Sequence, residues 1–218
     1  MSDEGTQLTV EQLPSVLPIF PLPGVLLLPR GLLPLNIFEP RYLAMTGDAM
    51  NGERLIGMVQ PTDPEAPEPP PVFATGCAGK ITSFTETPDG RFLITLTGVA
   101  RFSIQNELPP LRGYRRVTPD WSPFRDDLVE ETEPVLDRVR LERALRVYFK
   151  QHGLEADWDA IRQTSDERLV TSLAMICPFA PPEKQALLEA RTLAERSATL
   201  LALIEMAALE GDSPGATH

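Results

Sequence analysis

The residues that could bind a metal or carry out redox chemistry are few and lie far apart along the chain. Among its 218 residues, the only histidines are His152 and His218, and the only cysteines are Cys77 and Cys177. A structural zinc site takes four Cys or His ligands, so it would need all of these residues at once. We therefore expect no metal and no cofactor, and we expect two reduced, mostly buried thiols in a cytoplasmic protein.

Two short patterns match parts of a nucleophilic site. Residues 211–215, GDSPG, fit the G-x-S-x-G pattern of serine hydrolases, but that motif needs a strand before the serine and a helix after it. Ser213 instead lies in a polar tail and precedes Pro214. His152 follows a predicted helix, where a cation interacts favourably with the helix dipole, and no nucleophile lies at a matching spacing. Neither pattern predicts catalysis.

Residues 76–82, GCAGKIT, match a phosphate-binding loop only in part. A Walker A motif needs glycine where this chain has Ala74, and serine or threonine where it has Ile81. Gly76 and Gly79 are instead typical of a bulged strand. No set of residues fits acid–base, metal or nucleophilic chemistry, which disfavours an enzyme without excluding one.

One basic cluster, RGYRR at residues 112–116, could hold RNA by charge and by stacking on Tyr114. The formal net charge of the chain is −11, however, whereas broad contact with phosphates requires a basic surface. We therefore interpret the cluster as a solvated strand face and keep RNA binding as the alternative function.

The apolar stretch at residues 16–38, VLPIFPLPGVLLLPRGLLPLNIF, must help to position any site. The residues before it carry Asp3, Glu4 and Glu11 but no lysine or arginine, whereas a secretory signal begins with a positive region. Prolines recur throughout the stretch, and each would disrupt a membrane helix. We therefore expect no membrane span. We expect short buried strands at Val16–Phe20, Val25–Leu28 and Leu32–Phe38.

The segments that follow alternate between β patterns and one helix. Pro40 suits the first position of a short helix, and Tyr42, Met45 and Ala49 fall on one face of it. Further strands are predicted at Leu55–Val59, Arg91–Thr97, Arg101–Gln105 and Tyr114–Thr118, which makes about seven strands, spaced like those of a small barrel. Residues 61–71, PTDPEAPEPPP, predict a solvated, polyproline-like loop. This loop could be a proline-motif ligand for a partner, but we favour a tolerated surface insertion.

The pattern becomes helical after Trp121. Leu141, Leu145 and Tyr148 share one helix face, and later helices are predicted at Glu167–Ile176, Pro181–Leu188 and Leu193–Leu209. The predicted fold class is α+β. Its parts are a disordered or loosely attached tail (1–15), a β-rich subdomain (16–121), a helical subdomain (122–209) and a flexible tail (210–218).

Two motifs in the apolar stretch resemble a known family. Leu17–Leu22 read LPIFPL and Pro34–Tyr42 read PLNIFEPRY. They are similar to the L-P-[LI]-F-P-L and P-L-x-I-F-E-P-R-Y runs of the LON N-terminal domain, the substrate-recognition domain at the front of Lon proteases. Residues 87–102 and 168–189 resemble its hairpin and its helical half. The resemblance covers residues 16–209. It implies a PUA-like β pseudo-barrel with one short helix, followed by a C-terminal helical bundle.

The resemblance also implies a function. It predicts a non-catalytic module that binds exposed apolar or extended protein segments, as an adaptor or regulator of proteolysis in the cytoplasm. Lon continues into an ATPase module and a Ser-Lys peptidase domain, whereas this chain ends at His218 without a Walker A motif, so we expect a stand-alone substrate-binding protein. The expected partners are unfolded or extended protein segments and Lon protease, with no membrane; nucleic acid is expected only under the alternative function. An enzyme of unrecognised type that acts on a small molecule is a third hypothesis.

The candidate peptide-binding residues are mainly aromatic: Phe38, Arg41, Tyr42, Trp121, Phe124 and Phe179. The junction Phe38–Tyr42, where a predicted strand meets a helix, could line a groove. Alternatively, Phe38 and Tyr42 are core residues and Arg41 pairs with a nearby acid. The other three aromatic residues lie at the ends of predicted elements, where they could be exposed anchors or could pack between subdomains.

Overall fold

The computed structural model describes residues 9–63, 65–151, 153 and 155–210, and it shows a mixed α+β fold. The chain divides into two compact units after Glu130. The elements of the first unit are β1 (Leu17–Pro21), β2 (Leu32–Ile37), α1 (Pro40–Met50), β3 (Leu55–Val59), β4 (Thr75–Glu86), β5 (Phe92–Leu111) and β6 (Tyr114–Asp120), with 3-10 turns at Val10–Gln12 and Ser122–Leu128. The elements of the second unit are α2 (Arg138–Gln151), α3 (Trp158–Gln163), α4 (Asp166–Ile176), α5 (Pro181–Glu189) and α6 (Leu193–Glu210).

The six strands form one sheet in the order β2-β5-β4-β3-β1-β6, and β6 pairs back onto β5. The hydrogen-bonded circuit of five strands therefore closes, while β2 lies outside it on the edge of β5. The 20-residue strand β5 makes this possible, since it pairs with β4 and β2 in its first half and with β6 in its second half. Register shifts in both ladders accompany the change of partner, as bulges bend a strand and increase its twist.

The prediction of about seven strands in a small barrel is corrected in one respect: within the described residues the sheet has six strands, and Val25–Leu28 is not one of them. Gly24 and Arg30 have φ angles of 70° and 63°, so left-handed turns bound this segment on both sides. Its side chains Leu26–Leu28 are nevertheless buried. The segment covers the core without joining a ladder.

The core of the first unit draws on both ends of that unit. It includes Leu17 and Ile19 of β1, Phe102 of β5, Val117 of β6 and Trp121. The predicted burial of the apolar stretch 16–38 is confirmed for Leu17, Ile19, Leu27, Leu28 and Ile37, which are almost fully buried. It is wrong for Val16, Leu32 and Phe38, which are exposed; Leu32 lies in β2 at the edge of the sheet. Within the described part of the N-terminal segment, Leu13 is also buried in this core. The indole Nε1 of Trp121 donates to the carbonyl of Pro14 at 3.0 Å.

The second unit is helical, and α6 packs against α2, α4 and α5. Its buried apolar residues include Leu141, Leu145, Leu173 and Ile204. The Asp166 carboxylate accepts backbone N–H groups of Val135 and Leu136 at 2.8 and 2.9 Å, and it also binds the Arg138 guanidinium. This carboxylate thus ties the start of α4 to the segment that leads into α2. None of the helices in the described ranges has the length and apolarity needed to cross a bilayer.

Candidate functional site

A cleft of about 670 Å³ opens in the first unit, at the junction between β2 and α1. Its walls come from the end of β1, from β2, from the first turn of α1, from the proline-rich loop and from the β5–β6 hairpin. Ligand sites commonly have this size and combine apolar walls with a few placed polar groups. The cleft is therefore the candidate functional site.

The strand-to-helix turn sets the apolar part of the cleft. Glu39 lies at the N-cap of α1 and Pro40 in its first turn. At that position proline's missing N–H costs no helical hydrogen bond. Phe38, just before this turn, is 60% exposed at the cleft. Tyr42, one turn later, is buried, and its ring lies 4.1 Å from that of Phe20. Burial raises the pKa of Tyr42 above its usual value.

Arg41 presents its guanidinium to the cleft between two carboxylates. It binds Glu68 of the proline-rich loop through both oxygens, each at 3.0 Å, and Glu39 through Nε at 3.0 Å. The guanidinium carbon also lies 4.7 Å from the centre of the Tyr42 ring, which adds a cation–π contact. The bond to Glu68 and the nearby carboxylates raise the pKa of Arg41, and Arg41 lowers the pKa of Glu68.

Arg115 of β6 supplies a second guanidinium to the same cleft. It binds the Glu107 carboxylate through Nε at 2.7 Å and Nη2 at 2.8 Å, and its Nη1 donates to the carbonyl of Pro70 at 2.7 Å. These bonds hold the pKa of Glu107 below its usual range. Two arginines, each oriented by a neighbouring acid, therefore face the proline-rich loop.

The basic cluster at 112–116 is largely neutralised by its neighbours. Arg112 binds Asp48 at 2.6 Å, and the Tyr114 hydroxyl donates to the same carboxylate at 2.9 Å. Burial, followed by this hydrogen bond, raises the pKa of Tyr114 to about 12. Arg116 donates to the carbonyl of Pro109, and Tyr114 is buried rather than free to stack on a base. This arrangement does not favour RNA binding.

A family model described as the ATP-dependent protease La (LON) substrate-binding domain matches residues 16–206. The chain belongs to this family. The match covers the LON substrate-binding domain and no catalytic domain.

Relatives and solved structures agree with this assignment. The chain is 27% identical to the Lon protease of Cytophaga hutchinsonii, in a match that covers 93% of this chain and 26% of that protein. It is 26% identical to Lon protease 1 of Thermus thermophilus, in a match that covers 86% of this chain and 24% of that protein. It thus spans about a quarter of these relatives. The fold is similar to a Lon N-terminal domain protein from Xanthomonas campestris, with a TM-score of 0.61, 22% identity and coverage of 86% and 97% of the two chains. The N-terminal domain of Mycobacterium avium complex Lon protease gives a TM-score of 0.57, 16% identity and coverage of 87% and 97%.

The structure of this LON substrate-binding domain brings together three of the six candidate residues. Phe38, Arg41 and Tyr42 line the cleft. Parts of both interpretations of this junction apply, since Tyr42 packs inward and Arg41 pairs with acids while Phe38 stays exposed. The other three candidates lie elsewhere: Trp121 is in the core, Phe124 stacks under the Arg101 guanidinium at 4.5 Å, and Phe179 is buried in the second unit.

Other residues of the cleft had only weak signals in the sequence. Arg115 belongs to the basic cluster, but its partner Glu107 lies in the predicted β region without a distinguishing pattern. Glu68 lies in a loop whose composition predicts a solvated segment, and no spacing rule connects it with Arg41, which it binds. These contacts depend on the closure of the strand circuit, which local periodicity does not encode.

The partial motifs form no second site in the described part of the chain. Gly76 and Gly79 lie inside β4, beside the register shift at Ala78/Gly79, which confirms the predicted bulged strand. A Cβ on Gly76 would come within 2.7 Å of the Met58 carbonyl oxygen. Neither cysteine forms a disulfide and both are buried, and no group of three potential metal ligands occurs among the described residues. Ser213 and His152 lie outside those residues.

Proposed function

We propose that this chain binds segments of protein substrates in the cleft at the β2–α1 junction, as a non-catalytic module that serves proteolysis. The observation that carries the proposal is the exposed Phe38 at the mouth of a cleft with an aromatic floor and two oriented arginines, in a unit of the LON substrate-binding family. An exposed aromatic side chain beside a preformed cleft is suited to recognise apolar side chains of a partner. Exposed apolar or extended segments are therefore the favoured ligands.

The expected affinity is modest. Burying about three apolar side chains contributes roughly 5–9 kcal/mol before costs, and association removes about 4 kcal/mol or more. The remainder, at most about 5 kcal/mol, corresponds to a Kd of a few hundred micromolar at best. Weak binding suits a module that must release its substrate.

Side chains, more than backbone pairing, should provide this affinity. In the described residues β2 is paired only with β5, so its outer edge could accept an added strand. Pro34 in the middle of β2 has no N–H group, however, and proline at an edge blocks regular strand addition. We therefore assign the main role to the cleft.

The finer structural and cellular assignments are also proposals. The closed five-strand circuit supports a PUA-like pseudo-barrel, and the packing of α6 on three other helices supports a helical bundle. The family assignment supports unfolded proteins and Lon protease as partners, and a cytoplasmic location. The adaptor role follows only if these partners bind.

The proposal is tested with a fluorescently labelled unfolded protein, such as reduced and carboxymethylated α-lactalbumin, titrated with the chain. Phe38→Ser should raise the Kd about tenfold, because one apolar contact of about 1.5 kcal/mol is lost. Leu32→Ser is the matched control, since Leu32 is 64% exposed in the same unit but does not line the cleft. No binding by the wild type, or equal effects of both substitutions, would contradict the proposal.

A further inference from the structure

The proline-rich loop occupies the mouth of the cleft. Glu68 places both carboxylate oxygens on Arg41, and the carbonyl of Pro70 accepts from Arg115 at 2.7 Å. Pro69 and Pro70 also line the cleft. The chain therefore presents a peptide-like segment to its own candidate site, with one carboxylate and one backbone carbonyl each bound to an arginine.

The two guanidinium groups do not depend on this loop for their orientation. Arg41 is held by Glu39 and by the face of Tyr42, and Arg115 by the two oxygens of Glu107. Both arginines belong to regular elements, α1 and β6. An oriented guanidinium binds a carboxylate through two parallel hydrogen bonds, which gives geometric selectivity as well as strength.

The contact made by the loop is suited to exchange with an outside ligand. The Glu68 side chain is 63% exposed, and an exposed ion pair contributes little net stability. The base of the proline-rich loop is closed by a separate hydrogen bond, from the Thr62 N–H to the Pro71 carbonyl at 2.9 Å. Residues 65–70 can therefore leave the arginines while the base of the loop stays in place.

Building on the proposed function, we propose that the cleft selects acidic segments of its protein partners, in which a glutamate side chain binds Arg41 and the backbone carbonyl two residues later binds Arg115. In the free chain, Glu68–Pro70 fill these positions as an internal pseudo-ligand. The arginines select glutamate over glutamine, and Phe38 supplies the adjacent apolar contact. The loop raises the apparent Kd for outside segments, because it competes with them as a tethered ligand at high effective concentration.

The test uses a fluorescein-labelled peptide, EAPEPPPV, that copies residues 65–72, and a second peptide in which the glutamate corresponding to Glu68 is glutamine. Three proteins are compared by fluorescence anisotropy: the wild type, E68Q, and a variant in which residues 65–70 are replaced by an equally long Gly-Ser segment. D89N is the matched control, because Asp89 forms an exposed ion pair with Arg91 at 2.8 Å on the β4–β5 hairpin, away from the cleft.

We expect E68Q and the Gly-Ser variant to bind the glutamate peptide about two- to fivefold more tightly than the wild type and D89N do, the change that an exposed ion pair supports. On these two variants the glutamine peptide should bind about two- to fivefold more weakly than the glutamate peptide, and R41Q in the E68Q background should remove this difference. If the Gly-Ser variant fails to fold by circular dichroism, E68Q carries the comparison, because the loop remains in it.

Equal binding of the two peptides, or equal affinity of E68Q and wild type, would overturn the inference. The proposed function fails separately. If the unfolded protein binds in a Phe38-dependent way while the peptides do not discriminate, substrate binding stands and acidic selectivity falls. If the peptides discriminate but no unfolded protein binds, the cleft recognises acidic segments without being a general substrate site.

Discussion

A buried ion pair connects the segment after β6 to strand β5. The Asp127 carboxylate accepts hydrogen bonds from the backbone N–H of Arg101 at 2.9 Å, from its Nε at 2.9 Å and from its Nη2 at 2.8 Å. The side chains are only 3% and 9% exposed, and the backbone carbonyl of Asp127 accepts from Arg30 at 2.7 Å. The 3-10 turn Ser122–Leu128 thus depends on a charge pair that water hardly reaches.

Replacing Asp127 with alanine should lower the free energy of unfolding of the first unit by about 3–5 kcal/mol. This magnitude is typical when one partner of a buried pair is removed, because the other charge keeps its desolvation cost and loses its counter-charge. The double variant R101M/D127L removes both charges and keeps apolar volume. Its free energy of unfolding should fall by less, about 1–3 kcal/mol, because the backbone N–H of residue 101 loses the carboxylate that accepts its hydrogen bond.

The measurement is urea unfolding followed by tryptophan fluorescence. The chain has two tryptophans, Trp121 in the core of the first unit and Trp158 in α3 of the second. A Trp158→Phe background therefore makes the signal specific for the first unit. The midpoint shift, at an unchanged slope, reports the change in stability.

The double variant decides the interpretation. If D127A costs less than about 1 kcal/mol, the pair is not desolvated as the structure indicates. If the double variant is less stable than D127A, the loss reflects packing of the 3-10 turn rather than a buried charge. Either result would refute the electrostatic reasoning.

Two further predictions concern the backbone and the cleft. Gly98→Ala should lower the free energy of unfolding by at least about 3 kcal/mol, because a Cβ there would lie 1.9 Å from the carbonyl oxygen of Leu28. Gly47→Ala in α1 should raise the free energy of unfolding by about 0.5–1 kcal/mol, because a Cβ there would meet nothing within 4 Å. Thermal unfolding of both variants checks the contrast. The side-chain carboxyl of Glu107 should titrate below its ordinary pKa of 4.5, since Arg115 favours the charged form. A lowered folded pKa means that this contribution to stability is present above pH 4.5 and is lost as the pH falls through the folded pKa; an NMR titration in which Arg115→Gln leaves the midpoint unchanged would contradict the pairing.

The sequence predicted the elements whose cause is local. Proline and glycine punctuation placed the short strands and the start of α1 at Pro40, and the 3.6-residue period located α2 and α4–α6. The Val25–Leu28 segment was interpreted as a strand because buried coil and buried strand are equally apolar. Only the left-handed turns at Gly24 and Arg30 distinguish them, and arginine gives no signal for that conformation.

The candidate site was predicted in part for the same reason. Phe38, Arg41 and Tyr42 adjoin in sequence and meet at one strand-to-helix junction, so a local pattern could find them. Glu68 and Arg115 reach the cleft through a loop and a hairpin from distant parts of the chain. Trp121 and Phe179 are of the residue types that often anchor a partner, but both are buried. Their burial is decided by long-range packing, which a single sequence does not reveal.

The position of β1 between β3 and β6 also governs how the first unit can fold. Leu17 of β1 pairs with Val117 of β6, so the first strand in the chain contacts the last one, while β1 runs parallel to β3. Such non-local pairings slow folding, because a long loop must close before the contacts form. On the ribosome, β1 can pair with β3 early, but its other edge stays unpaired until β6 has been synthesised. We expect this interval to be the stage at which the nascent chain is most prone to aggregation and most dependent on chaperones.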